Sequence, residues 1–327
     1  MSNTEAAPAQ VACGASGFTG VLHPRDVPLG GPRAIRVRRT LPQRERSLIG
    51  AWCFVDHYGP HDVREGTGMD VPPHPHTGLQ TVSWLFSGEI EHRDSAGVHA
   101  VIRPGELNLM TAGAGICHSE VSSPRSPILH GVQLWVALPD ADRETARDFT
   151  HYAPTVQTMG AARIRVFLGR LGGVGSPVHT FTPLLGAQID LAPGTAIELP
   201  VDRTFEHGVL LDQGSVDACG TTLGDNGPGD LWYQAPGHDT VALANRGDRP
   251  ARVLLLGGVP FPEELVMWWN FVGRSHDDIV RFRRQWEEHD DRFGSVAGYP
   301  GARLPAPPLP NTTLLPRPNP TTPGDSQ

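Results

Sequence analysis

The chain repeats itself. "PGELNLMTAG" begins at Pro104 and "PGDLWYQAPG" begins at Pro228, 124 residues later. Upstream, "WLFSGEIEH" (84–92) matches "LLDQGSVDA" (210–218), with Gly88 over Gly214 at an offset of 126. Each copy reads as a strand, a Gly turn, a second strand, then a Pro-Gly-acid turn into another strand. A period of this size constrains the fold more than any single motif. A 327-residue chain built this way is two copies of one domain packed on each other. The copies are all-β. Apolar runs such as "TVSWLFSG" and "GVQLWVALP" have strand length, and Gly, Pro, Asp and Asn break them.

The repeat sets the domain boundaries. Residues 1–30 are small, polar and Gly/Pro-rich, and are expected to be a flexible lead. Residues 31–150 form the first β-domain. "PDADRETARDF" (139–149) reads as a short linker helix capped by Asp140 or Asp142. Residues 151–299 form the second β-domain and end in a helix, "SHDDIVRFRRQWEEHDDRFG" (275–294). There Ser275 is the cap and Asp278 completes a capping box. Ile279, Phe282, Trp286 and Phe293 follow a 3.6-residue period, and Gly294 ends the run. Residues 300–327 are a Pro-rich tail, expected to be disordered or polyproline-like. "GASGFTG" (14–20) spaces its glycines as a dinucleotide loop does. The following "VLHPRDVPLGGP" cannot be the required helix, and the motif is rejected.

Charge and cysteine usage exclude several classes. The net charge is −8, from 35 acidic and 27 basic residues, with no basic run, so direct nucleic-acid binding is not expected. Cys13, Cys53, Cys117 and Cys219 are scattered without a CxxC, which reads as free thiols in a reducing compartment. The opening "MSNTEAAPAQ" lacks the basic start and apolar core of a signal peptide, and no apolar run spans a bilayer. A cytoplasmic protein without membrane association is expected.

"VPPHPHTGLQ" (71–80) carries the chemistry. On a strand, residues two apart share a face, so His74 and His76 aim together and Pro75 points away. "GAGICHSE" (113–120) repeats the spacing with His118 and Glu120, and sets Cys117 on the opposite face. If the two pairs lie on facing strands, three imidazoles and a carboxylate converge on a metal. The second copy is a control. At the 124 offset His118 falls on Ala242 and Glu120 on Ala244; at 126, His74 falls on Pro200 and His76 on Asp202. The turns persist and the histidines do not, as for a site added to one copy of a fold.

These segments are recognisable. "HPHTGLQTVSWLFSGEIEHRDSAG" followed by "PGELNLMTAGAGICHSE" resembles the pirin family of the cupin superfamily. "VRRTLPQRERSLIGAWCFVDHYGP" and "GGVPFPEELVMWWNFVGRSHDDIVRFRRQWEEHDDRFG" resemble the pirin opening and ending, so the match runs from about Ile35 to Gly294. The resemblance implies a bicupin, two tandem jelly-roll-like barrels with a metal only in the first. It carries the ligand roles onto His74, His76, His118 and Glu120. One departure stands out. Cupins place a Glu after HxH where this chain has Gln80, which is assigned a hydrogen-bonding role beside the ligands.

Such a site holds one divalent ion. Fe(II) is the expected occupant; Mn, Ni and Cu suit the same ligands, and Zn would fill it as a closed tetrahedral centre. Pirin-like proteins resemble quercetin 2,3-dioxygenases, which implies a flavonol-like aromatic substrate and O2, with Glu120 taking the substrate hydroxyl proton and carbon monoxide released on ring opening. Trp84, Phe86, Leu107 and Met110 are candidates for an apolar mouth, with core packing the alternative for each. The family also implies a second reading, a non-catalytic, redox-sensitive regulator that binds a partner protein.

Overall fold

The computed structural model describes residues 20–29, 35–65, 68–317 and 319. The first half supplies β3 (Arg36–Leu41), β4 (Trp52–Asp62), β5 (Asp70–His76), β6 (Leu79–Ser87), β7 (Ile90–Asp94), β8 (His99–Ile102), β9 (Leu107–Thr111), β10 (Ile116–Ser122) and β11 (Ile128–Ala137). Before them come β1 (Gly20–Leu22) and β2 (Arg25–Pro28), and after them β12 (Asp148–Tyr152). They form a seven-stranded sheet, β12-β9-β6-β11-β4-β3-β2, covered by a four-stranded sheet, β5-β10-β7-β8. The second half repeats this plan. Its large sheet runs β1, Leu231–Gln234, Glu206–Gln213, Ala251–Gly258, Leu184–Leu191, Ala162–Leu168, Gln157–Met159, and its small sheet also has four strands. Each half is a two-sheet jelly roll rather than a closed barrel.

The two large sheets pack face to face and share one core. Leu48, Trp52, Val82 and Trp84 meet Leu184, Leu210, Leu254 and Leu256 in it. Burial on both faces explains why β4 and β6 are buried along most of their length, polar residues included, whereas the outer β7 alternates between buried and half-buried. Backbones touch where the halves meet. A Cβ on Gly50 would lie 2.6 Å from the Gly258 Cα, and Gly50 also has φ +51, so only glycine fits.

Polar groups at this interface are paired across it. Trp52 Nε1 donates to the Leu185 carbonyl (3.1 Å), and Trp84 Nε1 to Gln188 Oε1 (2.9 Å). Glu206, fully buried, accepts from Gly50 N–H (2.6 Å), Tyr233 O–H (2.7 Å) and Arg46 Nη2 (3.0 Å). Asp212 Oδ1 accepts from His57 Nε2 (2.7 Å) and lies 2.7 Å from His130 Nε2, while Arg252 Nη1 holds Oδ2 (3.2 Å). Burial pushes Asp212 up, but the His130 and His57 hydrogen bonds outweigh it and hold the carboxyl down at about 2.

Three expectations need correction. No linker helix forms. Residues 139–147 make turns and 148–152 extend as β12 along β9. A helix there would have only alanines and Phe149 to bury, whereas a strand gains five ladder positions. The lead is not free where it is described. β1 completes the large sheet of the second half beside Leu231–Gln234, and β2 pairs with β3. The tail is docked through Arg317. Leu304 N–H donates to the Pro73 carbonyl (2.9 Å), Trp286 Nε1 to the Leu304 carbonyl (2.9 Å), and Arg317 and Leu265 exchange backbone bonds. Residues 320–327, and the "GASGFTG" segment up to Thr19, lie outside the described residues.

The expected C-terminal helix is present as α1 (His276–Glu287), with Ser275 accepting from Asp278 N–H (3.2 Å). It stops at Glu288, and His289 takes φ +60, so Phe293 reaches Trp286 from a turn beyond the helix. Its partner is the first half. Arg147 and Arg292 tie residues 291–292 to Ser95 and Ala114, and Ile279, Phe282, Trp286 and Phe293 cluster with Cys117.

Burial pushes the Glu206 carboxyl up to about 7, against Arg46, which lowers it. Its unfolded value is about 4.3. A raised folded pKa contributes stability that is complete below about pH 4 and lost as pH rises through about 7. The melting temperature of the wild type, measured between pH 5 and 8, should therefore fall relative to Glu206→Gln, by the equivalent of up to roughly 3 kcal/mol. Parallel profiles would exclude this.

Candidate metal centre

β5 and β10 are antiparallel neighbours, with His118 opposite His74 and Ile116 opposite His76. Strand alternation turns all three imidazoles into the space between the two sheets and sends Cys117 out against α1, as expected. A bulge follows His118, and Glu120 pairs with Val71. All four candidate ligands are fully buried.

The imidazoles converge. The nitrogens of His74, His76 and His118 lie within 4.8 Å of one another, and His76 Nε2 is 3.1 Å from His118 Nε2. His74 Nδ1 is 2.9 Å from the Pro72 carbonyl, an acceptor only, so Nδ1 carries the proton. That leaves His74 Nε2 bare, buried and without a partner. Burial drives all three rings well below the usual histidine range, and neighbouring imidazoles add to this for His74 and His118. They are therefore neutral, the form that binds metals. An orphaned Nε2 beside two facing Nε2 atoms is a donor set that a divalent cation satisfies. Glu120 is brought to a second, overlapping group with His118 and His92. Ser83 Oγ lies 3.4 Å from its carboxylate, and its charge raises buried Tyr58 beyond the effect of burial itself.

The surrounding residues hold the rings. Trp135 meets His76 edge-on at 5.2 Å between centroids. The hairpin Val266–Trp268/Phe271–Gly273 closes over β5. Val272 N–H donates to the Thr77 carbonyl (3.1 Å), and the Asn270 backbone bonds His76. A Cβ on Gly78 would lie 2.3 Å from the Val272 carbonyl oxygen, so this approach requires glycine.

Gln80 does not serve the ligands. Ser83 faces Glu120, so Gln80, an odd number of residues away on β6, faces outward. Its amide donates to Thr111 Oγ1 (2.9 Å). The same parity carries Trp84 and Phe86 outward. Trp84 stacks on Phe167 of the second half, Phe86 packs on His130, and Leu107 and Met110 belong to the shared core. The pair that does reach the ligands is His92 and Asp94. His92 Nδ1 is 3.3 Å from His118 Nδ1, and His92 Nε2 donates to Asp94 Oδ2 (3.0 Å). The signal was "EHRD", a third i, i+2 pair of polar residues on a strand.

Comparison with known proteins agrees with this geometry. Residues 34–136 match the Pirin family, and residues 186–294 the Pirin C-terminal cupin domain. A Pseudomonas aeruginosa protein named as a candidate quercetin 2,3-dioxygenase is 44% identical over 288 residues, covering 88% of this chain and 89% of its own length. A pirin-like protein of Caulobacter vibrioides is 36% identical over 77% of this chain and 88% of its own. A crystal structure of quercetin 2,3-dioxygenase from Acinetobacter baumannii superposes with a TM-score of 0.84 at 38% identity, over 90% of this chain and 97% of that one.

The chain belongs to the pirin family.

In this pirin-family chain the second half shows what stands in place of the candidate ligands. The expected counterparts Ala242, Ala244, Pro200 and Asp202 each lie off by one position. The β-ladders place Val241 opposite Leu199 and Leu243 opposite Ala218, and these are the residues turned into the second core. His118 therefore corresponds to Val241, Glu120 to Leu243, His74 to Leu199, His76 to Val201 and His92 to Ala218. A one-residue slip in register exchanges the faces of a strand. The conclusion becomes sharper, because every ligand position holds an aliphatic side chain or alanine. A third group, His57, His130 and Asp212, also brings its nitrogens and oxygen within 4.8 Å. It does not fit a cation. Arg38 donates to His57 Nδ1 (3.3 Å) and so fixes the proton on Nε2, and Arg252 adds a second positive charge.

One divalent ion per chain is expected by elemental analysis, and none after His118→Ala. A chelator should lower the melting temperature of the wild type and leave that variant unchanged. At free metal a hundredfold above Kd the stabilisation is about 2.7 kcal/mol. Two ions per chain would contradict the reading of the second half.

Proposed function

We propose that this pirin-family protein is a metal-dependent dioxygenase acting on a flavonol-like aromatic substrate with O2, with Fe(II) as its ion. The observation that carries the reading is the convergence of three buried neutral imidazoles on one point, with the Nε2 of His74 left bare. The relatives named for quercetin 2,3-dioxygenase activity support the substrate class.

His74, His76, His118 and Glu120 would hold the ion. The donor set of three neutral nitrogens and one carboxylate accepts Mn, Ni, Cu or Zn as well, so the identity of the ion is a matter for measurement. When bound, a divalent ion supplies Lewis acidity toward a substrate hydroxyl and, if it is iron, redox access to O2. The chain's own residues do the rest. Glu120, fully buried and near Ser83, is positioned to take the proton of an acidic aromatic hydroxyl. The imidazoles keep that carboxylate in a dry, neutral environment, where its charge acts at full strength. The tryptophan-rich hairpin over β5 limits water, with Trp268 and Phe271 themselves buried.

Protein reconstituted anaerobically with Fe(II) should consume O2 and bleach quercetin absorbance together. Glu120→Gln should lower kcat by about 10²–10⁴ if the carboxylate is the base. His118→Ala should fall to the uncatalysed background. Metal binding without flavonol-dependent O2 uptake would overturn the enzymatic reading and favour a partner-binding role for the loaded protein.

A further inference from the structure

We infer that His92 and Asp94 are positioning residues, which fix the tautomer of His118 so that its Nε2 faces the metal point. The inference rests on the metal-site reading above, and it follows from a proton inventory in which each bond decides the next. Asp94 Oδ1 accepts the backbone N–H groups of Ala96 (2.8 Å) and Val98 (3.1 Å), so the carboxylate is anchored by its own turn. Its other oxygen lies 3.0 Å from His92 Nε2. A carboxylate only accepts, so in a neutral His92 ring the proton sits on Nε2 and Nδ1 is bare. That Nδ1 is 3.3 Å from His118 Nδ1. A hydrogen bond there needs one proton, and only His118 can supply it. With its proton on Nδ1, His118 presents a bare Nε2, and this is the atom 3.1 Å from His76 Nε2.

Two further observations point the same way. His92 and Asp94 are 2% and 3% exposed, and Phe149 lies over the His92 ring at 4.9 Å, so water does not compete for these bonds. The second half provides the control. It has the same strands in the same order, yet Ala218 stands where His92 would be, and Gly220, two residues on, where Asp94 would be. The fold does not need the pair. It occurs only in the half that has the ligands, as expected of groups that orient them.

The same geometry allows a rival role, that of ligand, because one donor atom each of His92, His118 and Glu120 also lie within 4.8 Å of one another. Three variants separate the roles. His92→Ala removes the acceptor and should weaken Co(II) binding 10- to 100-fold, with one ion still bound at saturation. His92→Asn puts an amide oxygen where Nδ1 was, and should restore affinity to within a few-fold of wild type. Asp94→Asn should be as damaging as His92→Ala. Its oxygen is taken by Ala96 and Val98, so its NH2 faces His92 Nε2, reverses that tautomer and drives the His118 proton onto the metal-facing nitrogen. In Cu(II)-loaded protein the number of coupled imidazole nitrogens should be the same in wild type and His92→Asn. Loss of one nitrogen in His92→Asn would make His92 a ligand and overturn the positioning role, as would wild-type affinity in both His92→Ala and Asp94→Asn. Nitrogen-15 NMR of the metal-free wild type decides independently of loading. A proton on His118 Nδ1 supports the inference, and one on Nε2 overturns it. Failure of the wild type to bind any metal would instead count against the metal-site reading, with the tautomer still measured.

Discussion

The structure depends on burying both faces of two large sheets. Each seven-stranded sheet has a small sheet on one side and its twin on the other. This doubles the apolar area removed from water per strand, and it removes the solvent face to which polar side chains would ordinarily go. Indoles therefore donate across the interface, and Glu206, Asp212, His57 and His130 are paired there rather than exposed. Breaking one partner of such a pair leaves a buried charge and costs several kcal/mol, typically 3–5.

The same layering creates the candidate site. The space between a large and a small sheet is normally filled with aliphatic side chains, as Leu199, Val241 and Leu243 fill it in the second half. In the first half the corresponding positions are polar, and this is tolerable only if every nitrogen and oxygen finds a partner. Pro72, Asn270, Ser83 and Asp94 supply some of these. What remains is the bare Nε2 of His74 beside the facing nitrogens of His76 and His118, and that remainder is the donor set on offer to a cation. The cluster is covered from far along the chain. The hairpin at 266–273, α1 and the tail return from the end of the second half to cover β5 and β10.

Much of this was legible from particular residues. HPH and HSE announced side chains that converge inside the first half because strand alternation is a local rule, and the repeat of "PGELNLMTAG" in "PGDLWYQAPG" announced two domains. Ser275 and Asp278 announced α1. The failures share one cause. The family pattern after HPH points to Gln80, and the 124 offset matches Ala242 to His118; both are positions along the chain, where one residue exchanges inside for outside. "EHRD" has the same spacing as the two candidate ligand pairs, but nothing local says that β7 lies beside β10.

The sequence by itself determined the two-domain all-β plan, the four candidate ligands and the absence of such ligands from the second copy. Those follow from periodicity and residue chemistry, which are properties of short stretches. Only the tertiary structure decided that Gly20–Leu22 completes the distant sheet, that α1 and the tail cover the first half, and that His92 stands behind His118. Hydrogen bonds between strands far apart in sequence, and the choice of which face is buried, are settled when the sheets pack, and no local pattern encodes them.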